Sequence, residues 1–245
     1  MLLRYKKVLI TGGTGAIGEE LCRVFAREGA DVAFSYQENK QKADKVLSMI
    51  RRKKRRGIDV RCSITDAVQV HNMIFAVMNA FGRIDILVNN AGITQVLPFP
   101  FIEEEDWDMM MSVNVKGTFL VTKEVVRQMI AQRSGVILNI GSIAGVRMLE
   151  VPVHYATSKA AIGGFTLALA RELARYHIRV NAIIPGMLES GISTHVPENK
   201  YKEYVKYCAA ARAGKPEEVA EFAAFLCSDR ASYINAQNML IDGGL

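Results

Sequence analysis

Short runs of apolar residues alternate along the chain with longer stretches whose apolar positions recur every three or four residues. The short runs are VLI (Val8 to Ile10), DVAFSY (Asp31 to Tyr36), DVRCSI (Asp59 to Ile64), IDILVNN (Ile84 to Asn90), GVILNIGS (Gly135 to Ser142), IRVNAII (Ile178 to Ile184) and NMLID (Asn238 to Asp242). They predict about seven strands, and near-continuous apolar character implies a sheet covered on both faces. Between them, Ile17, Leu21, Val24 and Phe25 make one helical face, and Ala43, Val46, Leu47 and Ile50 a second. Val68, Ile74, Phe75 and Met78 suggest a third. Parallel strands need such crossovers, so the pattern predicts one doubly wound α/β domain over residues 1–245. Ligands of open sheets lie beyond the carboxyl ends of the strands, which directs attention to the loops there.

The first of these loops reads Thr11-Gly-Gly-Thr-Gly-Ala-Ile-Gly18, after a strand and before an amphipathic helix. Glycine permits tight turning and close backbone approach, and a helix N-terminus offers free N–H groups and a positive dipole end to pyrophosphate. Gly12, Thr14, Gly15, Ile17 and Gly18 are therefore expected to contact a dinucleotide. Such sites often carry Asp or Glu at the end of the second strand for the adenosine ribose. Here that strand ends Phe34-Ser35-Tyr36-Gln37, and Ser35, Tyr36 and nearby Lys40 could donate hydrogen bonds or charge to a 2′-phosphate. NADP(H) is expected over NAD(H), with Glu38 keeping the second open.

Tyr155-Ala-Thr-Ser-Lys159 falls in a stretch that predicts a long helix, VPVHYATSKAAIGGFTLALARELARY. Residues i and i+4 share a helical face, so hydroxyl and ammonium can act on one ligand. An isolated tyrosine, with a pKa of about 10, transfers protons poorly at neutral pH, whereas a fixed ammonium favours its phenolate. Ser142 closes the fifth strand, where its hydroxyl can orient a substrate oxygen. Asn114, in MSVNVKGTF, is a helix-disrupting polar group suited to holding a water between Lys159 and solvent. Taken singly, each has an ordinary structural explanation; together they point to carbonyl or alcohol chemistry.

Composition narrows the class. The 245 residues, 50% hydrophobic, contain no apolar run of eighteen, and the start MLLRYKKVLITGG has no signal-peptide pattern, so a soluble cytoplasmic protein is expected. Cys22, Cys62, Cys208 and Cys227 are scattered, which supports neither a disulfide framework nor a metal site. Net charge is +6, partly from RRKKRR at Arg51 to Arg56. That run could be a solvated helix end complementing the helix dipole, a dock for an acidic carrier, or a nucleic-acid contact. It contains no aromatic residue for base stacking, which argues against the last.

The sequence resembles the short-chain dehydrogenase/reductase family over nearly its whole length. The resemblance rests on the TGGTGAIG loop, Asn89-Asn-Ala-Gly92, Asn114, Ser142, Tyr155-xxx-Lys159, Pro185-Gly186 and Asp242-Gly-Gly244. It implies a Rossmann-type fold, with Tyr155 as general acid/base, Lys159 on the nicotinamide ribose and lowering the Tyr pKa, Ser142 on the substrate carbonyl and Asn114 in a proton relay. Asn90, Ala91 and Gly92 would line the adenosine-ribose wall, and Pro185, Gly186 and Leu188 would approach the nicotinamide. Two departures stand out: Ala16 replaces a loop glycine, and Ser63, followed by Ile64, replaces an adenine-contacting Asp.

Within the family, VNNAGIT (Val88 to Thr94), the Ser142–Tyr155 spacing and RAGKPEEVAEFAAFLCSD (Arg212 to Asp229) are most similar to reductases of 3-oxoacyl groups on acyl carrier protein. That resemblance implies fatty-acid synthesis, an acidic carrier docked near the active-site mouth by Arg133 and Arg175, and a homotetramer built on the helices at Lys116–Ile130 and His154–Tyr176. Tyr176 stands where a further cation would be expected. Acyl-CoA, sugar and steroid reductases share similar segments, and binding without catalysis is the remaining class, disfavoured by the intact Ser142, Tyr155 and Lys159. The segment at about 187–215 is expected to form a substrate lid whose Met187, Leu188, Ile192 and Val196 cover an acyl chain. His154 and Glu150 are expected to shape the pocket.

Overall fold

The computed structural model describes residues 1–191, 196 and 198–245. Seven strands form one parallel sheet in the order β3-β2-β1-β4-β5-β6-β7. They are β1 (Lys7–Ile10), β2 (Asp31–Tyr36), β3 (Gly57–Arg61), β4 (Ile86–Asn89), β5 (Gly135–Ile140), β6 (Ile178–Pro185) and β7 (Asn238–Ile241). Chain order reverses between β1 and β4, opening the crevice in which such sheets bind ligands.

Alternation within the strands explains the layers. Val8, Ile10, Val32, Phe34, Ile86 and Val88 face α1 (Ala16–Arg27), α2 (Lys40–Arg52) and α8 (Pro216–Cys227) in one buried cluster. Leu9, Ala33 and Leu87 face the other way, against α3 (Ala67–Phe81), α5 (Thr118–Gln132) and α6 (Val153–Leu173). Two further helices, α4 (Glu104–Met111) and α7 (Glu198–Tyr207), lie near the carboxyl edge. Strands buried on both sides are what the near-continuous apolar runs require.

Three expectations are corrected here. The third strand is Gly57–Arg61, starting two residues before DVRCSI and ending three residues before its end; Cys62 keeps one bond to the Tyr36 carbonyl before the chain turns away. The buried face of α3 is Val70, Met73, Ile74, Val77 and Phe81, while Val68 and Phe75 are 68% and 62% exposed. Asp66 sets that phase, because its carboxylate caps the N–H groups of Val68 and Gln69 and fixes where the helix begins.

The third correction concerns the basic run, of which only part is a solvated helix end. Arg51 and Arg52 occupy the last turn of α2, whereas Arg55 and Arg56 fold back onto Asp31 at 2.9 and 3.0 Å, joined by Lys7 at 2.7 Å. Burial alone would raise the Asp31 pKa, but these three cations and the Arg56 N–H hold it at about 2.

Candidate active site

Thr11 follows β1 and its hydroxyl accepts from the backbone N–H groups of Asn90 and Ala91, each at 3.0 Å. Asn90 replies through its amide to the carbonyls of Thr11 and Gly12 at 2.9 and 3.1 Å. The loops after β1 and β4 are thereby locked across the crevice. Gly12 has φ +66°, and a Cβ there would lie 2.9 Å from the Ala91 Cα. At Gly18 a Cβ would lie 2.1 Å from the Gly12 carbonyl oxygen. Only glycine fits either place. Gly15 begins α1 without a side-chain cap, so the first turn keeps N–H groups directed at the crevice, with Thr14 and Ile17 half-buried beside it. These residues fit a pyrophosphate: a cradle closed to a Cβ at Gly12 and Gly18, ending on an uncapped 12-residue helix.

At the end of β2, Ser35 accepts from the Gly12 N–H at 3.2 Å, and its carbonyl accepts from Gly13 at 2.8 Å. Its side chain supports the loop, and Tyr36 is buried beside it. Lys40 is held by Asp44 at 2.8 Å and Asp59 at 2.7 Å, so its charge is already matched. Ser63 bonds within its own turn, its hydroxyl 2.9 Å from that of Thr65, and Ile64 is buried in the core.

Four residues expected to do chemistry converge from three elements. Ser142 begins a 3₁₀ turn (Ile143–Gly145) just past β5, where its oxygen accepts from the Ala144 N–H at 3.2 Å. Tyr155 and Lys159 share one face of α6, with the ammonium 5.9 Å from the tyrosine ring centre. Burial raises the Tyr155 pKa, and the hydrogen-bonded Ser142 hydroxyl opposes that. Burial lowers Lys159 to about 8, and its Nζ donates to the Ile140 carbonyl at 3.1 Å. In this geometry the Ser142 hydroxyl favours the phenolate, and the Lys159 ammonium stands on the same face of α6.

Asn114 sits in a π-helical turn, Ser112–Gly117, between α4 and α5. Its amide oxygen accepts from the Ile93 N–H at 2.8 Å, and its nitrogen lies 3.0 Å from the Ile93 carbonyl and 2.9 Å from Ser158 Oγ. Ser158 in turn donates to the Tyr155 carbonyl at 2.8 Å. The widened turn turns a polar side chain inward, a use typical of π-bulges. Gly92 lies between the two groups: a Cβ there would be 3.1 Å from Asn114 Oδ1 and 3.5 Å from Lys159 Nζ.

Sequence reasoning missed two polar networks. His154, wholly buried, has Nε2 3.2 Å from Gln95 Oε1, and Gln95 donates to Asp106 at 2.7 Å, joining α6, the loop after β4 and α4. Asn89 donates to Thr122 and Asn139 at 2.8 and 2.9 Å, and Asn139 to Thr166 at 2.9 Å. The signal for the second was present: Asn89 and Asn139 end otherwise apolar runs and pair in register.

Two expectations fare differently. Arg133 and Arg175 stand at the amino-terminal edge of the sheet, where Arg133 reaches the Arg175 carbonyl. Ser142 lies at the opposite end of β5, a strand of six residues and so about 17–20 Å long. Within one chain, therefore, they do not flank the mouth. Of the expected lid, Leu188 is buried in the core and Met187 packs near Ile184 and Tyr204. Glu189 donates to Gly214 at 2.9 Å, and Gly214 to Met187 at 3.0 Å, while Ile192 lies outside the described residues. Gly186, after Pro185, bonds the Ile241 carbonyl at 3.0 Å. Among the described residues, no cluster of acidic, His or Cys side chains could hold a metal, and no helix is long and apolar enough to cross a membrane.

Comparison with known proteins accords with this geometry. Residues 13–245 match the family described as enoyl-(acyl carrier protein) reductase. The chain is 40% identical over 250 residues to the 3-oxoacyl-[acyl-carrier-protein] reductase FabG of Thermotoga maritima, spanning 100% of this chain and 99% of that protein. It is 35% identical to the Staphylococcus aureus protein of the same name, over 98% of each chain. Among solved structures, a short-chain dehydrogenase/reductase from Serratia marcescens superposes with a TM-score of 0.93 at 31% identity, covering 100% of this chain and 99% of that one. An NAD⁺-bound xylitol dehydrogenase gives 0.93 at 31% identity, with full coverage of both chains.

Proposed function

This chain belongs to the short-chain dehydrogenase/reductase family, an NAD(P)-dependent oxidoreductase of carbonyl and hydroxyl groups, and on that premise we propose that it reduces 3-oxoacyl thioesters with NADPH. The carrier is acyl carrier protein, the product a 3-hydroxyacyl thioester for fatty-acid synthesis, and the setting cytoplasmic. The full-length likeness to two carrier-protein reductases supports the substrate. The observation that carries the chemistry is the Ser142–Tyr155 hydroxyl pair at the carboxyl edge of β5, backed by a buried lysine on the same helix.

Gly12, Thr14, Gly15, Ile17 and Gly18 would hold the pyrophosphate, with Ser35, Tyr36, Ser63, Ile64, Asn90, Ala91 and Gly92 along the adenosine half. Tyr155, Lys159, Pro185, Gly186 and Leu188 would surround the nicotinamide half. When bound, the nicotinamide supplies the hydride. Ser142 orients the 3-oxo oxygen by donating to it, and Tyr155 delivers the phenolic proton to that oxygen as negative charge develops there. Lys159 offers a positive charge beside Tyr155, and Asn114 holds the path by which the proton is replaced.

Exposed Phe119 and Leu167 on α5 and α6 support association of copies through these helices into a homotetramer. In such an assembly Arg133 and Arg175 could serve the mouth of a neighbouring copy. The test compares Tyr155→Phe with the parent on matched 3-oxoacyl thioesters of acyl carrier protein and coenzyme A. Loss of about 100-fold or more in kcat/KM on both substrates is expected, with the parent faster on the carrier-protein thioester. Comparable rates for variant and parent would overturn the assignment.

A further inference from the structure

The phosphate that separates NADP(H) from NADH sits on the adenosine ribose, a group that sheets of this class meet at the end of the second strand. A dianionic group there needs a cation whose charge is not already matched. Lys40 lies between Asp44 and Asp59, and Lys42 faces Glu19 at 3.6 Å. Ser35 is almost wholly buried under the glycine loop. Two of the groups expected to recognise the phosphate, Ser35 and Lys40, are thus engaged elsewhere, and the third, Tyr36, is a buried, uncharged side chain.

Arg61 is not. It is the last residue of β3 and pairs in register with Tyr36, the last residue of β2, so both stand at the carboxyl edge. In parallel strands, paired residues point to the same face, which for Tyr36 is the face carrying α1 and α2. The Arg61 side chain is exposed, and its Nε donates to the Gln37 carbonyl at 3.0 Å. That single bond anchors the guanidinium over the turn between β2 and α2 and leaves both terminal nitrogens available. No carboxylate among the described residues forms an ion pair with it. A planar guanidinium held by one edge presents the other for bidentate contact with a phosphate.

We propose that Arg61 is the residue that selects NADP(H), by pairing its terminal nitrogens with the 2′-phosphate of the adenosine ribose. The proposal rests on the NADPH reading above and assigns it a residue. Glu38 is the exposed carboxylate of the same turn and sets the opposing preference, so the balance between Arg61 and Glu38 decides the cofactor. Sequence pattern alone hides Arg61, because it falls inside an expected strand and becomes a strand end only when β3 closes three residues early.

Equilibrium binding of 2′,5′-ADP and 5′-AMP, read by titration calorimetry on the parent and on Arg61→Ala and Arg61→Lys, tests this without turnover. The parent is expected to prefer 2′,5′-ADP. Arg61→Ala should weaken 2′,5′-ADP by about 10- to 100-fold and leave 5′-AMP within about twofold, the scale of a charge-assisted hydrogen bond. Arg61→Lys should fall between them. If the parent prefers 2′,5′-ADP and Arg61→Ala keeps that preference, the assignment to Arg61 is overturned while the NADPH reading stands. A parent that binds both equally, or favours NADH over NADPH in kcat/KM, overturns both. Equal weakening of the two nucleotides by Arg61→Ala would place the arginine on a shared group and also overturn the assignment.

Discussion

Lys159 donates its ammonium to the carbonyl oxygen of Ile140 across 3.1 Å, tying the helix of Tyr155 to the last residue of β5. The bond holds a cation in a site that burial makes hostile to it, which is why its pKa falls from 10.5 to about 8. Between pH 8 and 10.5 the unfolded chain holds a proton that the folded lysine has released. Stability supplied by this group therefore rises with pH through that window, and below it the cost of the buried charge is constant.

Lys159→Met should accordingly be inactive yet more stable than the parent at pH 7, by about 1–3 kcal/mol in the cofactor-free protein. Thermal unfolding of both proteins at pH 7 and pH 10 checks this, with the difference shrinking at the higher pH. A variant that melts below the parent at pH 7 would show that the Ile140 bond outweighs desolvation.

Asp31 makes the opposite prediction. Its folded pKa of about 2 lies below the ordinary 3.8, so the stability it contributes is present above pH 3.8 and is lost as pH falls through 2. Asp31→Asn should cost about 2 kcal/mol at pH 7 and little at pH 2. Urea unfolding at pH 7 and at the lowest pH where the parent stays folded measures it. Removing one partner, as in Arg55→Ala, should cost less, because Lys7 and Arg56 remain.

These two residues show where the sequence was legible and where it was not. Tyr155 and Lys159 could be read because a single helix brings them together, and spacing along a helix is a local property. The seven strands were legible for the same reason, as runs of apolar residues. Asp31 was not, since its three cations come from β1 and from the chain beyond α2, and only the parallel pairing of strands assembles them. Arg61 was hidden by a shift of three residues in the carboxyl end of a strand. The Gln95–Asp106 bond joins a loop to a helix start and has no period to betray it. Arg133 and Arg175 were expected near the mouth from resemblance, but position along the chain does not say to which edge of a sheet a helix end returns.

Gly92 offers a test of how closely the site is packed. Its missing side chain leaves the space between Asn114 Oδ1 and Lys159 Nζ, and a Cβ would meet them at 3.1 and 3.5 Å. Both neighbours are side-chain ends that can move by a few tenths of an ångström, so Gly92→Ala should fold normally. Its kcat is expected to drop roughly 10-fold, because small displacements of positioned groups are amplified in rate. Steady-state kinetics with the melting temperature as control would decide; unchanged kcat would mean that neither Asn114 nor Lys159 needs its present position.

His154 lies directly before Tyr155, and its behaviour follows from a missing partner. Gln95 presents its oxygen to Nε2 because its nitrogen donates to Asp106, so Nε2 carries the hydrogen and Nδ1 keeps a bare lone pair. Nδ1 is buried without a hydrogen-bond partner, and a proton added there would meet no acceptor. Burial lowers the His154 pKa from 6.5, which the charge of Asp106 only partly opposes. Below pH 6.5 the unfolded chain takes up a proton that the folded histidine refuses, so stability supplied by this group falls with pH until the folded pKa is reached. His154→Gln keeps a donor for Gln95 and loses the titration; His154→Leu loses both and leaves the Gln95 oxygen unpaired, at about 1–3 kcal/mol. Melting curves at pH 5 and pH 7.5 should show the glutamine variant less sensitive to acid than the parent. The leucine variant should be weaker at both, with kcat lowered because the start of α6 is no longer tied to the loop carrying Gly92 and Ile93. If glutamine and leucine proved equivalent in kcat, the bond to Gln95 would have no part in holding Tyr155.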